Sequence, residues 1–495
     1  MGQDIQQETF SQADHVRFAE QLRGDLAALE LLLARPGFGA GEPSLGIELE
    51  LNIIDAAARP LGLNREILTA ADDARVKLEL DRFNLEINGS PRPLRGKPFK
   101  DMGDELNAIL ATLRSCAQRH GGRIAMIGIL PTLRSEHLLP EALTDTARYR
   151  AMSARMQELR GGPFHLSIDG EDPLELDGNE TTFEGANTSL QVHLRTSAAD
   201  FAEMYNAAQL AAGPVLACAG NSPLFLEHRL WQETRIALFR QSLSQSRYPD
   251  DDDWRPARVS FGHGWVRRGA LELFAESVAM HPPLLPVPSR EPDPCAVVKS
   301  GGIPELQGLR LHHGTTWRWN RAIYDPAGGG HLRIEQRALP AGPTVVDMVA
   351  NSAFFLGLTL GLKPRAEALV SAMTFGQARR NFYAAAREGL DGELLWPGEN
   401  SSPAEPLRAR ALVEQLLPVA RTGLLSAGVN EDEVDRALEI IAARTSSGQT
   451  GSSWQRRTLE ALERTLPRPE ALTAMLERYM ANAATETPVH TWPVS

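Results

Sequence analysis

Apolar and polar residues alternate along several stretches in the first two-thirds of the chain, a pattern typical of β-strands with one apolar and one polar face. The alternating stretches are Leu45–Ile54, Val76–Leu80, Phe83–Asn88, Thr188–Arg195 and His331–Arg337. A further strand is expected over Arg123–Ile129. Apolar residues at three- and four-residue spacing predict helices instead, over residues 12–35, 101–120, 198–218 and 226–244 and over nearly everything after residue 344.

Loops are expected where charged residues, Pro or Gly interrupt these patterns, at Asp250–Asp253, at 285–305 and at 396–406. Strands therefore concentrate in the first two-thirds of the chain and helices in the last third. This segregation predicts an α+β fold with a mainly antiparallel sheet and a helical C-terminal part.

The composition is that of a globular protein, with 495 residues, 42% hydrophobic residues and 23% charged residues. The formal net charge of −12 argues against general nucleic-acid binding, because such a chain repels phosphate backbones. The three cysteines are far apart in the sequence, so neither a disulfide framework nor a zinc site is expected, and a reducing cytoplasm fits. We expect no signal peptide, and we interpret the apolar stretch Val349–Leu362 as a buried helix, too short to span a membrane.

Glutamates mark the polar faces of the predicted strands. Glu48 and Glu50 lie two residues apart, so both side chains leave the same face. Glu79 and Glu86 lie on the next strands, and Glu335 lies on the last. The polar faces also carry Gln191, His193, Arg195, Arg333 and Arg337.

A solvated strand face explains any single pair of alternating glutamates, but it does not explain a whole face biased to Glu with matching Arg. Clustered carboxylates repel one another unless cations compensate. Mg²⁺ and Mn²⁺ prefer such oxygen ligands and commonly bridge protein carboxylates and nucleotide phosphates. The combined set therefore predicts a face that binds two or three of these ions together with ATP, with its arginines near the transferred phosphate.

Five short motifs follow one another between residues 45 and 345: GIELE (46–50), LELDRFNLEINGSP (78–91), SLQVH (189–193), AGNSP (219–223) and LRIEQR (332–337). In this order they resemble the glutamine-synthetase-like ligases and, within them, the glutamate–cysteine ligase family with its carboxylate–amine ligase relatives. Gly220 departs from the Ala-like residue usual in the fourth motif. The stretch Trp317–Tyr324 and the helical tail after residue 344 match no motif.

The resemblance implies a curved, mainly antiparallel sheet that forms an open funnel, with helices packed outside. Together with the helical patterns it divides the chain into an N-terminal helix over residues 1–40, a glutamine-synthetase-like catalytic domain over 41–395 and a C-terminal helical region over 396–495. It also implies ATP and Mg²⁺ or Mn²⁺ and small-molecule substrates. The charge, the cysteines and the hydropathy predict no nucleic-acid or membrane partner and a cytoplasmic location, and a homo-oligomer stays possible.

The resemblance also implies site roles. One metal would be held by Glu50, Glu79 and Glu86, and a second by Glu48, His193 and Glu335. Glu335 and Arg337 would be catalytic, with Arg337 on the transferred phosphoryl group. Expected substrate or ATP contacts are Gln191, Asn221, Arg235, Arg240, Arg318, Arg321 and Arg333. Arg318 and Arg321 equally suit surface arginines stacked on tryptophan, and Gly328–Gly330 suits either a hairpin turn or a loop over phosphate.

The implied activity is an ATP-dependent carboxylate–amine ligase that works through an acyl phosphate, joining glutamate to L-cysteine for glutathione biosynthesis. Three alternatives stay open. The first is a ligase that joins glutamate or another carboxylate to a different amine. The second is a phosphotransferase acting on a guanidino group, which would need a reactive cysteine beside an acidic pair. The third is a non-catalytic regulatory protein that binds ATP and metal.

Overall fold

The computed structural model describes residues 5–245, 256–289, 291–398 and 402–494, so the loop predicted at Asp250–Asp253 lies outside the described residues. The strands are β1 Ser44–Ile54, β2 Val76–Leu78, β3 Asn84–Asn88, β4 Arg92–Pro93, β5 Arg123–Ala125, β6 Phe164–Ile168, β7 Leu174–Gly178, β8 Ser189–Thr196, β9 Leu224–Phe225, β10 His228–Arg229, β11 Val259–Ser260, β12 Trp317–Arg318, β13 Asn320–Asp325, β14 His331–Pro340, β15 Glu393–Pro397 and β16 Ala404–Arg408.

The helices alternate with these strands in the first part of the chain and dominate after residue 344. They are α1 Gln12–Leu33, α2 Asn64–Ala71, α3 Pro98–Arg119, α4 Ala147–Arg160, α5 Thr182–Gly185, α6 Phe201–Ala219, α7 Arg235–Ser242, α8 Ala270–Met280, α9 Pro294–Lys299, α10 Gln307–His313, α11 Val345–Leu362, α12 Ala366–Ala372, α13 Phe375–Glu388, α14 Ala409–Ser426, α15 Glu431–Ser447, α16 Gly451–Glu463 and α17 Arg468–Ala483.

The main sheet runs in the order β13-β14-β8-β1-β3-β2, with β4 and β5 also paired to β1. Every pairing within it is antiparallel. The sheet curls strongly into a half-barrel. The predicted α+β fold with a curved, mainly antiparallel sheet is confirmed.

Strand register puts the charged residues on one face of this sheet. Glu50 lies opposite Glu86 across the β1–β3 pair, and Glu48 lies opposite Gln191 across the β1–β8 pair. Glu335 lies opposite His193 on β8 and opposite Arg321 on β13. Since side chains alternate along each strand, the intervening leucines, isoleucines and valines point to the other face.

Helices cover that apolar face. α6 packs against β14, and α11 packs against both α6 and β8. α11 is buried along most of its length, and the segment Val345–Ala372 is the one helix among the described residues long and apolar enough to cross a membrane. It is mostly buried inside the molecule, which agrees with the predicted buried helix.

Four parts of the secondary-structure prediction were wrong. The helix predicted over 226–244 is only α7, because the β9–β10 hairpin comes first, with positive φ at Leu226 and Glu227 in its turn.

The strand predicted over Arg123–Ile129 ends at Ala125. The 285–305 loop contains α9, and part of the 396–406 loop is the β15–β16 hairpin. The stretch Trp317–Tyr324, which matched no motif, forms β12 and most of β13.

Hydrophobic packing runs across the boundaries of the three predicted segments, 1–40, 41–395 and 396–495. A single hydrophobic core joins α1 to the sheet, to α11 and to the C-terminal helices α14 and α15. The proposed boundary at 395/396 falls inside β15. The Gly328–Gly330 run is a hairpin turn, since it connects β13 to β14, and its three glycines all have positive φ.

Candidate active site

Three carboxylates from β1, β3 and the residue after β2 form the first cluster. Glu50, Glu79 and Glu86 each place one oxygen within 4.8 Å of the others. Glu50 is held by the backbone N–H of Ser189, which donates to Oε2 at 2.7 Å, and by Gln191, which donates to Oε1 at 3.0 Å. Glu50 is therefore fixed in a set of three carboxylate oxygens.

Two carboxylates and an imidazole from β1, β8 and β14 form the second cluster. Glu48, His193 and Glu335 also bring one ligand atom each within 4.8 Å of the others. Nε2 of His193 lies 3.3 Å from Oε1 of Glu48 and 3.8 Å from Oε1 of Glu335. All three side chains are buried.

Two arginines bracket Glu335. Arg321 on β13 donates from Nε and Nη2 to its two carboxylate oxygens at 2.7 and 3.1 Å. Arg337, two residues along β14, donates to Oε2 at 3.0 Å and also to the side-chain oxygen of Gln191. Because Gln191 donates in turn to Glu50, Arg337 and Gln191 link the two clusters.

The electrostatics of the first cluster call for a cation, whereas arginines already compensate Glu335 in the second. Burial, with the charges of Glu86 and Glu50, raises the pKa of Glu79 well above its usual range. Burial, with the charge of Glu48, raises the pKa of Glu86 to about 7. Burial alone would raise the pKa of Glu335 too, but Arg321 and Arg337 hold that pKa well below its usual range. Like charges this close are stable only when a cation or a proton compensates them.

The donor set fits divalent metal ions. The first cluster offers carboxylate oxygens only, and the second adds one imidazole, which is a ligand set suited to Mg²⁺ or Mn²⁺. Nε2 of the buried His193 faces one oxygen of Glu48 and one of Glu335, at 3.3 and 3.8 Å, so an ion between the three side chains would take the imidazole nitrogen and both oxygens as ligands.

Three cavities adjoin the clusters. The main cavity, of about 850 Å³, has Glu50, Glu79, Glu86, Gln191 and Arg337 in its wall. A second cavity, of about 140 Å³, lies beside Glu48, His193 and Glu335. A third, inner cavity of about 40 Å³ lies beside Glu50, Glu79 and Arg337.

The structure brings most of the predicted substrate-contact residues to these cavities. Gln191 and Arg321 line the main cavity. Arg333 lines the second cavity and pairs with Asp325 at 3.1 Å. Arg235 lines the inner cavity.

Three predicted contact residues lie elsewhere. Asn221 is fully buried and donates to the backbone of Ala341 and to Tyr479, which is a structural position. Arg240 is exposed, with its guanidinium over the Tyr383 ring. Arg318 pairs with Glu276 at 2.6 Å and lines none of the three cavities. These positions argue against a substrate or ATP contact by any of the three.

The cavity walls also contain residues that the sequence patterns missed. Glu184 of α5 lines both the main and inner cavities, and burial raises its pKa to about 8. Arg148 and Tyr149, at the start of α4, line the main cavity, and His313 lines the second. Glu184 lies in a short helix without alternation, so only its position just before β8 could have drawn attention to it.

Comparison with known proteins agrees with this geometry. The family model of glutamate–cysteine ligase family 2 matches residues 44–478. A glutamate–cysteine ligase from Francisella tularensis, solved in complex with AMP, is similar in structure, with a TM-score of 0.56, 11% sequence identity and coverage of 92% of this chain and 91% of that one. A bifunctional glutathione synthetase from Pasteurella multocida gives a TM-score of 0.47 at 12% identity, over 95% of this chain and 55% of that one. The comparison with curated proteins finds no match.

A half-barrel sheet with two carboxylate clusters linked through an arginine, together with the family match, defines an ATP-dependent ligase that joins a carboxylate to an amine. The match over residues 44–478 covers most of the chain. The chain belongs to glutamate–cysteine ligase family 2.

Proposed function

We propose that this ligase joins the side-chain carboxylate of glutamate to the amino group of L-cysteine and forms γ-glutamylcysteine, a step of glutathione biosynthesis in the cytoplasm. The observation that carries the proposal is the position of Arg337 between the two clusters, at the wall of the main cavity. Family membership supports glutamate and cysteine as the first substrates to test.

We propose that Mg²⁺ or Mn²⁺ binds at the two clusters. Glu50, Glu79 and Glu86 would hold one ion, and Glu48, His193 and Glu335 would hold another. The ions would supply positive charge that compensates phosphate oxygens.

The reaction would proceed in two steps. A carboxylate oxygen of glutamate attacks the γ-phosphorus of ATP, and ADP leaves with the electron pair of the broken P–O bond. The amine then attacks the carbonyl carbon of the acyl phosphate, and phosphate leaves.

The chain's own residues orient and stabilise these steps. Arg337 would contact the transferred phosphoryl oxygens, because its guanidinium is a planar multiple donor. Its contacts to Gln191 and Glu335 fix its position before substrate binds. Arg321 would keep Glu335 ionised, since it binds both carboxylate oxygens.

The second cavity suits the nucleotide. Phe274, His313 and Tyr324 bring aromatic rings to its wall, and Arg310 and Arg333 bring positive charge. A planar base stacks on aromatic rings, and phosphates pair with arginine. This cavity also adjoins Glu48 and Glu335, so a nucleotide bound there would have its phosphates next to the second cluster.

Phosphate release from ATP tests the proposal. The full chain is assayed with Mg²⁺ and glutamate, alone and then with L-cysteine, other amino acids or simple amines. We expect release that requires both glutamate and L-cysteine, with a product mass of γ-glutamylcysteine. Phosphate release that requires another amine would show that this amine, and not L-cysteine, is the second substrate. The proposal of a ligase would then stand. Mg-ATP binding without release from any pair would overturn the catalytic proposal in favour of a regulatory protein.

A further inference from the structure

The inner cavity adjoins the first cluster and has further polar residues in its wall. It shares Glu50, Glu79 and Arg337 with the rest of the site, and Asn84, Asn187 and Glu184 complete its polar wall. At about 40 Å³ it has room for about two or three water-sized groups.

Three oxygen acceptors at this wall lack hydrogen-bond partners within the described part of the chain. They are Oδ1 of Asn84, Oδ1 of Asn187 and Oε2 of Glu184. Asn84 is 2% exposed, so its free oxygen is not satisfied by bulk solvent. Buried acceptors of this kind normally have a donor, which here would come from a water molecule or from another group in the cavity.

Hydrogen bonds from the amide nitrogens fix the direction of both amide oxygens. The Asn84 amide nitrogen donates to the carbonyl of Leu51 and to the Asn52 side chain, at 3.4 and 3.1 Å. The Asn187 amide nitrogen donates to the carbonyls of Phe183 and Glu184, at 3.0 and 2.9 Å. Because each nitrogen is used in this way, each oxygen is the atom left for a ligand.

The arginines around the cavity pair with glutamates other than Glu184. Arg235 pairs with Glu233 at 2.9 Å, and Arg337 pairs with Glu335 at 3.0 Å. Glu50 and Glu79 belong to the first cluster, where a metal ion would compensate them. No ion pair involves Glu184 among the described residues. Arg337 and Arg148 act on Glu184 without forming an ion pair with it in the described part of the chain, so a cation in the cavity would compensate its charge directly.

We propose that the inner cavity binds the nitrogen of the amine substrate and that Glu184 takes a proton from it. A primary ammonium group has three N–H donors, matching the three free oxygens, and it is small enough for the cavity. This inference rests on the proposed ligase function and names the residue that prepares the second substrate.

The proton balance is complete. The ammonium form, R–NH₃⁺, gives one proton to the Glu184 carboxylate and becomes R–NH₂. The nitrogen lone pair attacks the acyl carbon, and the C–O bond to phosphate breaks with its electron pair on the phosphate oxygen. The second proton leaves the nitrogen for that phosphate, and the amide remains.

An assay with hydroxylamine distinguishes proton removal by Glu184 from any other effect of changing this residue. It is uncharged at neutral pH, so it attacks an acyl phosphate without first losing a proton, whereas L-cysteine and ammonium are protonated at nitrogen. Glu184→Gln and Glu184→Asp are assayed with Mg-ATP, glutamate and each of hydroxylamine, L-cysteine and ammonium chloride. Glu175→Gln is the matched control, because Glu175 is exposed on β7 and lines none of the three cavities.

We expect Glu184→Gln to lower kcat/KM for the protonated donor that the enzyme uses by at least about 100-fold. Hydroxamate formation should stay within about threefold of the unmodified chain, which also shows that the variant is folded. Glu184→Asp should retain part of the activity with the protonated donor.

If Glu184→Gln loses the same factor in kcat/KM with hydroxylamine as with the protonated donor, the proposal is overturned. Glu184 would then act before the amine enters. Unchanged activity with both would also overturn it. If the unmodified chain forms no ADP with glutamate or any other carboxylate, the ligase proposal itself fails, and this inference fails with it.

Discussion

At the scale of single residues, the first cluster holds negative charges close together inside the folded chain. Glu79 is the most affected, since burial, Glu86 and Glu50 all raise its pKa. Glu79→Gln removes one of these charges while keeping the side-chain size. Without metal, we expect its thermal midpoint to rise by about 2–4 °C, because repulsion is relieved. With Mg²⁺, it should lose most of the stabilisation that the unmodified chain gains.

Thermal unfolding in EDTA and in Mg²⁺ measures both effects. Glu66→Gln is the control, because Glu66 is exposed on α2 and belongs to neither cluster. A lower midpoint for Glu79→Gln in EDTA would show that repulsion among these carboxylates does not limit the stability of the metal-free chain. An unchanged Mg²⁺ response would remove Glu79 from the metal-ligand set.

The same repulsion predicts how stability depends on pH. Glu86 has a pKa of about 7 in the folded chain, above its ordinary value of 4.5. The folded state therefore binds more protons than the unfolded state between these values, and stability falls as pH rises from about 4.5 to about 7. Urea unfolding of the metal-free chain across this range should show the fall. Saturating Mg²⁺ should reduce it, and a rise in stability over that interval would contradict the assignment.

At the scale of elements, β14 carries the arginine on which the proposed chemistry depends. Arg337→Lys keeps the charge but loses the planar guanidinium, whose Nη1 donates to both Gln191 and Glu335 and whose other nitrogens would be left for phosphoryl oxygens. We expect kcat/KM to fall by about 100- to 1,000-fold, with the fold intact by circular dichroism. Arg59→Lys, an exposed change in the loop after β1, should leave activity unchanged. Full activity of Arg337→Lys would exclude a phosphoryl contact.

The strands show why part of the fold could be predicted from sequence. β1, β3, β8 and β14 each have one charged and one apolar face, so alternation reveals them. β13 lacks this signal because its sequence, NRAIYD, places polar and apolar residues on each of its faces, and its polar Asn320 hydrogen-bonds Gln209 of α6. A strand whose faces are both mixed gives no alternation on which a prediction can depend.

The residues of the candidate active site could likewise be predicted only where they lie in a regular sequence pattern. Both carboxylate clusters were predictable because their members lie on alternating strands, in motifs that resemble a known family. Glu184 comes close to them through the fold of a short helix, and no local pattern reports that position. Asn221 lies in a matching motif, yet its amide supports the backbone near Ala341 and Tyr479. A motif therefore locates a segment near a site without fixing which way each side chain points.

At the scale of the whole molecule, the C-terminal helices belong to the same body as the sheet. Arg444 of α15 binds Asp347 of α11 at 2.7 Å and also donates to Asn351 and to the carbonyl of Cys218 on α6. Asp347 in turn accepts the backbone N–H of Val489 near the C-terminus at 3.0 Å. One buried ion pair thus joins three helices and the last segment described.

Removing one partner of this pair should destabilise the whole molecule. Arg444→Met leaves Asp347 charged in a dry interior, which costs about 3–5 kcal/mol. We expect lower thermal and urea midpoints, measured through Mg-dependent activity as well as through circular dichroism, because α14 and α15 share one core with the sheet. Arg436→Met, at an exposed position on the same helix, should change neither midpoint.

The double variant Arg444→Met with Asp347→Leu tests the cause, since replacing both partners by apolar residues removes the uncompensated charge. It should regain much of the lost stability. If the single variant lost its C-terminal helices while activity persisted at the same temperature, residues 396–495 would unfold independently of the sheet. The continuity of the core argues for loss of both together, because α14 and α15 pack directly on α11, and α11 packs on β8 of the proposed active site.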